Sequence, residues 1–214
     1  MATESFEKVS DEKQAAIIQS GITEFSKKSY MDASTDEITK NCGISKGLLF
    51  HYFGNKKNFY LYCLELALKR LLTDVPKSDQ SDFYGIIFSH ADEKFKLCEK
   101  YPSEIHLVNM AAREMSAKVL NEKNELIVRY MISTRKKSQQ ITEKAIAALE
   151  LKDIDAEKLK DAITLYLGAI LNKYLERYKE TPELFFERSP EIKAEIKEYL
   201  DFMLNGVVKE GASV

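Results

Sequence analysis

The chain reads as an all-α protein, a three-helix head containing a helix-turn-helix followed by a larger helical body. Three observations predict this. Apolar residues recur at helical spacing through most of the 214 residues, without the strict alternation of a half-buried strand. Glycine and proline are scarce, 8 and 4, and stand at seams between the periodic runs. One stretch, Ser34 to Phe59 (STDEITKNCGISKGLLFHYFGNKKNF), sets two short helical runs on either side of a single glycine. The pattern predicts about nine helices in two parts, 1–54 and 55–214, with 55–73 as the connecting helix.

The head begins with a run from Glu12 in which Ala16, Ile17, Gly21, Ile22 and Phe25 share a face, so this helix packs on the next two. Ser34 and Glu37 have the spacing of a capping box, the hydroxyl covering a free backbone N–H and the carboxylate reaching back. Ile38 points inward from that second helix. Gly43 stands where a tight helix–helix turn requires positive φ, open to a residue without Cβ. Ile44 and Leu49 then close a small core with Ile38. Ser45 caps the third helix, which shows Lys46, Gly47, Leu48, His51 and Tyr52 outward and gives Leu49, Phe50 and Phe53 to the core. Asn55 caps the connecting helix, on which Phe59, Cys63, Leu66 and Arg70 follow on successive turns to about Thr73.

The body continues with a loop, Val75 to Asp82, whose Ser81 or Asp82 caps the helix FYGIIFSHADEKFKLCEK, and that helix stops before Tyr101-Pro102. Helices from Ser103 to about Met115, Asn121 to Glu150, Ala156 to Lys179 and Glu191 to about Val208 complete it, the last capped by Ser189 with Pro190 in its first turn. From Ala162 to Leu171 the penultimate helix is apolar around nearly its whole circumference. Such a helix needs cover on both sides. Either an identical subunit supplies one side, as four helices about a two-fold axis, or the helix is central in a monomer. The dimer reading places Ile163, Ile170, Tyr174, Ile196, Leu200, Met203 and Val207 at the interface, with Gly168 letting backbones approach.

Composition bounds the function. Apolar residues make up 44% and charged residues 31%, enough for a core and a wet surface. No apolar run approaches the roughly 18–20 residues of a membrane span, and MATESFEKVSDEK lacks the features of a signal peptide. A cytoplasmic protein is expected. The 3 cysteines, Cys42, Cys63 and Cys98, have no paired spacing, and Cys42 and Cys63 are expected as small core hydrophobes rather than disulfide partners. His51, His90 and His106 have no Cys, His or carboxylate at a ligand spacing, so no metal site is expected. No phosphate loop or nucleophile motif occurs; neither an enzyme nor a cofactor is expected. The net charge of −2 conceals a polarity. Between Lys27 and Lys57 six lysines (27, 28, 40, 46, 56, 57) face three acids (32, 36, 37), a local basic excess.

Over about Lys13 to Leu61 the chain resembles the TetR family of bacterial transcriptional regulators. Tyr30 and Thr35 fall where the family has its aromatic and hydroxyl residues; Ser29, Thr39 and Leu48 depart from the usual glycine, alanine and threonine. The resemblance implies a homodimeric repressor, released from a palindromic double-stranded DNA operator by a small-molecule effector. It implies DNA contacts from Thr35, Ser45, Lys46, Gly47, Leu48, His51, Tyr52 and Lys56, with Lys46, Gly47, Leu48 and His51 nearest bases and Thr35, Tyr52 and Lys56 on phosphates. It also implies an effector pocket in the body. The long helix's apolar stripe is broken by Thr134 and Ser138, and Phe88, Phe95, Met110, Tyr130 and Tyr166 would line the cavity around them. A second reading is a helical interaction module that turns the head fold to a protein partner.

Overall fold

A computed structural model describes residues 2–73, 79–178 and 181–205, apart from the side chains at 73, 98, 175, 182, 183 and 186. The described residues form helices and connections without strands. The helices are α1 (Glu4–Glu7), α2 (Asp11–Lys27), α3 (Thr35–Asn41), α4 (Lys46–Phe53), α5 (Lys56–Thr73), α6 (Phe83–Lys100), α7 (Pro102–Arg113), α8 (Leu120–Ile146), α9 (Ala156–Arg177), α10 (Pro182–Glu187) and α11 (Ser189–Leu204). None is long and apolar enough to cross a membrane.

The helix ends have local causes. Ser34 Oγ accepts from Glu37 N at 3.3 Å, Ser45 Oγ from Leu48 N at 3.1 Å, Asn55 Oδ1 from Asn58 N at 2.9 Å, and Asp155 Oδ1 from Lys158 N at 3.1 Å. Asp82, rather than Ser81, caps α6 by accepting from Gly85 N at 2.8 Å. The returning half of the expected capping box is made elsewhere. Ser34 N donates to Glu24 Oε1 of α2 at 2.8 Å, so a residue ten positions upstream does what Glu37 was expected to do. The cap position of α11 is Arg188, with Ser189 already inside the helix, one residue earlier than expected. α8 ends at Ile146 rather than 150 because Ala148 N and Leu149 N bond three residues back, to Ala145 O and Ile146 O, and tighten the chain out of the helix. α9 ends at Arg177, capped by Tyr178, and α11 at Leu204, where Asn205 turns extended, both short of the expected Lys179 and about Val208; residues 75–78 of the Val75–Asp82 loop lie outside the described residues.

The chain divides into two compact units, Met1–Asp74 with Leu97–Ser133, and Val75–Lys96 with Thr134–Val214. In the first, α7 packs against α2 and α5, and its Leu107 and Ala111 join Ile17, Ile22, Phe25, Ile38, Leu49, Phe53, Phe59 and Leu64 in one core. Gly21 permits this. A Cβ there would lie 2.5 Å from Phe59 Cζ and 2.8 Å from Cys63 Sγ, so α2 and α5 approach at a distance only glycine allows. Ala16, expected in this core, is exposed and Ile18 is buried in its place. Phe50 is half-buried and outside the core. In the second unit Phe83, Ile86 and Ile87 of α6, Ala145 and Ile146 of α8, Ile163, Ile170 and Tyr174 of α9, and Ile192, Ile196, Leu200 and Leu204 of α11 form a separate core.

Candidate nucleic-acid interface

α3 and α4 meet at Gly43, whose φ of +66° is the left-handed turn conformation expected of it. A second glycine in that region, Gly54 at φ +77°, ends α4 and starts the turn into α5. Between them α4 is sharply two-faced. Leu49, Tyr52 and Phe53 are buried, while Ser45, Lys46, Gly47 and His51 are exposed on the other side and Leu48 lies half-buried at the margin. Phe53 is held by rings on several sides, Phe6 at 4.7 Å, Phe59 at 4.6 Å and Tyr62 at 5.2 Å between centroids. The polar face is thereby rigidly backed.

The N-terminal segment contributes a support the sequence reading missed. α1 inserts Phe6 beside Tyr52 and Phe53, and Thr3 N donates to Tyr52 O at 2.9 Å, satisfying a carbonyl near the end of α4. A four-residue helix has too few positions to show a period, so its sole legible signal was one isolated phenylalanine.

Of the expected DNA-contacting residues, the structure brings Ser45, Lys46, Gly47 and His51 onto one exposed face. Lys46 Nζ pairs with Asp36 Oδ2 of α3 at 3.0 Å, both side chains well exposed, so the pair contributes little and exchanges readily for a phosphate or base. Thr35 and Tyr52 are buried and serve the packing of the head, Thr35 through its carbonyl, which accepts from Thr39 Oγ1 at 2.9 Å. Lys56 is half-buried. Its Nζ donates to Met31 O at 3.1 Å and lies 5.0 Å from the Tyr30 ring centroid, and burial lowers its pKa. Gly47 has no internal steric reason. A Cβ there would meet nothing nearer than Ser45 Oγ at 3.9 Å, and glycine in a helix costs roughly 1 kcal/mol against alanine.

The head is tied to α7 and α8 within the first unit. Tyr30 N donates to Glu114 Oε2 at 2.6 Å, Lys57 pairs with Glu122, and Arg70 Nη1 meets the buried Glu104 Oε1 at 2.5 Å. At the turn into α3, burial raises the Glu24 carboxyl while Lys28 and the Ser34 N–H more than offset it, leaving its pKa below the ordinary value. Cys63 is fully buried and burial pushes its thiol up; the half-buried Cys42 thiol is likewise raised by burial, so both are held as protonated core groups. The Cys98 side chain lies outside the described residues.

The expected interface and pocket residues fare differently. Ile163, Ile170, Tyr174, Ile196 and Leu200 are buried within the chain itself, in the second core, with Met203 packed against them. They point inward because the buried stripes of α9 and α11 face each other. The outward stripe carries Leu165, Tyr199 and Phe202, exposed by 67%, 50% and 77%. Val207 lies outside the described residues. A Cβ on Gly168 meets nothing within 4 Å. The expected pocket residues do not form one set. Met110 and Tyr130 belong to the first unit, whereas Phe88, Phe95, Thr134, Ser138 and Tyr166 belong to the second. A shallow concavity against Asp201, Phe202, Leu204 and Asn205 includes none of them. Among the described residues no cluster of metal-ligating side chains occurs.

Residues 17–63 match the family profile described as bacterial regulatory proteins, tetR family. Among curated proteins the chain is similar to the HTH-type transcriptional regulator YuxN of Bacillus subtilis, 35% identical over 72 residues, 32% of this chain. The match spans about a quarter, 25%, of the length of that relative. Among solved structures, a TetR family transcriptional regulator from Chloroflexus aurantiacus aligns with TM-score 0.63 and 22% identity over 98% of this chain and 100% of its own. The fatty acid degradation regulator FadR from Bacillus halodurans aligns with TM-score 0.65 and 12% identity over 88% and 96%. At these identities the structural likeness establishes the fold.

Proposed function

From the premise that residues 17–63 are a TetR-family helix-turn-helix, we propose that the chain is a sequence-specific, DNA-binding transcriptional regulator of the cytoplasm and not an enzyme. The working form is a homodimer that represses from a palindromic operator and is released by a small-molecule effector. Residues 1–54 meet DNA and 55–214 carry the effector and dimer surfaces. The observation that carries this reading is α4, an eight-residue helix locked on one side by buried aromatics and small or polar on the other. Such a helix has the shape and chemistry to enter a major groove, with Lys46 nearest guanine O6 and N7, His51 one turn on, and Leu48 toward a thymine methyl. Gly47 supports the same reading. Its missing side chain serves no packing within the chain and leaves room for a phosphate to approach the first turn, where backbone N–H groups favour an anion.

The dimer reading moves to the outward stripe. Leu165 of α9 with Tyr199 and Phe202 of α11 offers apolar surface that a second copy, related by a two-fold axis, covers with its own.

Selection of bound sequences from random duplexes tests the proposal. Enrichment of a palindrome is expected, with half-sites about one helical turn apart, roughly 34–36 Å, or a multiple. Lys46→Ala is expected to relax one base position in each half-site, at a cost of about 1–3 kcal/mol. No enrichment at low salt overturns the regulator reading; unchanged base preference removes Lys46 from readout.

A further inference from the structure

Among the described residues one ion pair joins the two helices of the motif, Lys46 Nζ of α4 to Asp36 Oδ2 of α3 at 3.0 Å. Each partner stands in the first turn of a capped helix, Asp36 behind Ser34 and Lys46 behind Ser45. The turn between them is fixed by the positive φ of Gly43 and by Ile44 N, which donates to Thr39 O at 3.0 Å. Backbone geometry therefore keeps the two side chains within reach of each other. Both are open to solvent, the Asp36 side chain by 70% and that of Lys46 by 48%. A carboxylate in the first turn also suits the helix dipole, but Glu37 beside it supplies that charge too, and Asp36 alone of the two pairs with α4.

The pairing changes what Lys46 can bind. A phosphate only accepts hydrogen bonds, and a carboxylate held on the same lysine repels it. A base-pair edge in the major groove is different, because it sets a donor beside an acceptor. In a G·C pair guanine O6 accepts and cytosine N4 donates, and these two atoms lie about 2.9 Å apart because they are bonded to each other. Lys46 Nζ and Asp36 Oδ2 are the complementary donor and acceptor, and their 3.0 Å separation matches. An ammonium has several N–H donors, so Lys46 keeps Asp36 with one and turns another to guanine. Gly47, next in the chain, adds no side chain to hold the first turn of α4 away from the groove.

We propose that Asp36 is a specificity-determining residue. With Lys46 it reads one G·C pair in each half-site, the lysine on guanine O6 and the carboxylate on cytosine N4. This rests on the reading of α4 as the helix that enters the major groove, and it adds the base pair and a second residue that selects it.

The test selects bound sequences from random duplexes with the full chain and with Lys46→Ala, Asp36→Ala and Asp36→Asn. The unaltered chain is expected to enrich a G·C pair at the position that Lys46→Ala relaxes, and Asp36→Ala is expected to relax the same position. Asp36→Asn is expected to redirect it to T·A, since an amide pairs with adenine N6 and N7 while the lysine meets thymine O4. On two matched duplexes that differ only at this pair, the unaltered chain should favour G·C by roughly 5–150-fold and Asp36→Asn should reverse the order. A purely structural role for Asp36 would change affinity for all sequences alike. That result, a shift at a position other than the one Lys46→Ala relaxes, or a pair other than G·C there overturns the proposal. A palindrome enriched by the unaltered chain and unmoved by the Asp36 variants removes this inference alone. No enrichment by the unaltered chain at low salt removes the regulator reading and this inference with it.

Discussion

In the unit that carries the head, aromatic rings interlock. Phe6, Phe25, Phe53 and Phe59 are each buried, and each touches another ring with centroids at 6.0 Å or less. In the second unit the apolar surface is divided. Ile163, Ile170, Ile196 and Leu200 are buried within the chain, while Leu165, Tyr199 and Phe202 remain outside. Each described buried side-chain atom left unpartnered is here as well, His90 Nε2 and Thr164 Oγ1. Among the described residues the first unit leaves no buried side-chain nitrogen or oxygen unpartnered, and it presents a fixed polar face. The second leaves these two atoms unsatisfied. A core of interlocked rings and a core that leaves apolar surface outside are different packing problems, and the chain solves them in different places.

The most severe way to break the first unit is Phe53→Ala. The ring fills the space between Phe6, Phe59 and Tyr62 directly behind the α4 polar face, so its removal leaves a cavity under the helix proposed to read DNA. A loss of about 3–5 kcal/mol is expected in urea unfolding. Phe202→Ala, on a ring exposed by 77%, is expected to change the stability of the isolated chain by less than about 0.5 kcal/mol. Comparable costs at the two sites would mean that the second unit is packed as tightly as the first.

The second prediction concerns acid. Burial, with Lys94 and Lys137, lowers the His90 pKa from 6.5 to about 4. A lowered histidine pKa means that the unfolded chain takes up the proton first. The stabilising preference for neutral His90 is therefore complete above about pH 6.5 and is lost as pH falls from there toward 4. The shift corresponds to up to about 3 kcal/mol over that window. His90→Leu is expected to flatten this part of the stability profile and leave the neutral limb in place. An identical acid limb in the variant would assign it to carboxylates instead.

What the sequence made legible follows the range of the interactions involved. The caps at Ser34, Ser45 and Asn55 and the positive φ at Gly43 act within a few residues, and each stands where the local pattern put it. Glu24 replacing Glu37 as the partner of Ser34 N is a contact across ten residues, invisible to a motif defined over four. The helical pattern puts Tyr52 outward and the resemblance puts Thr35 on a phosphate, but both are buried by neighbours that tertiary packing brings. The inward and outward stripes of α9 could not be told apart by period alone, because both are apolar. Leu165 and Ile163 look alike in sequence, and their exposures are 67% and 0%. The unpartnered His90 was beyond reach for the same reason, since a missing partner is a property of the whole fold.

The finest comparison substitutes one methyl group in each unit. At Gly21 a Cβ would fall 2.5 Å from the Phe59 ring and 2.8 Å from Cys63 Sγ, far inside van der Waals contact. Neither neighbour has room to retreat, since both are fully buried. Gly21→Ala is therefore expected to destabilise by roughly 1–3 kcal/mol, the overpacking cost outweighing alanine's better helix propensity. At Gly168, within α9, the same methyl meets nothing within 4 Å. Only propensity remains, and Gly168→Ala is expected to stabilise the chain by up to about 1 kcal/mol in dilute solution. The two signs should be opposite, and chemical denaturation of both variants measures them directly. Repeating the Gly168→Ala measurement at rising protein concentration sharpens the result. The outward stripe of α9 is the proposed meeting surface of two copies, and a methyl group where two backbones approach closely would turn the gain into a loss as the dimer fills. A gain that persists unchanged at every concentration would place Gly168 outside that contact and leave Leu165, Tyr199 and Phe202 to form it.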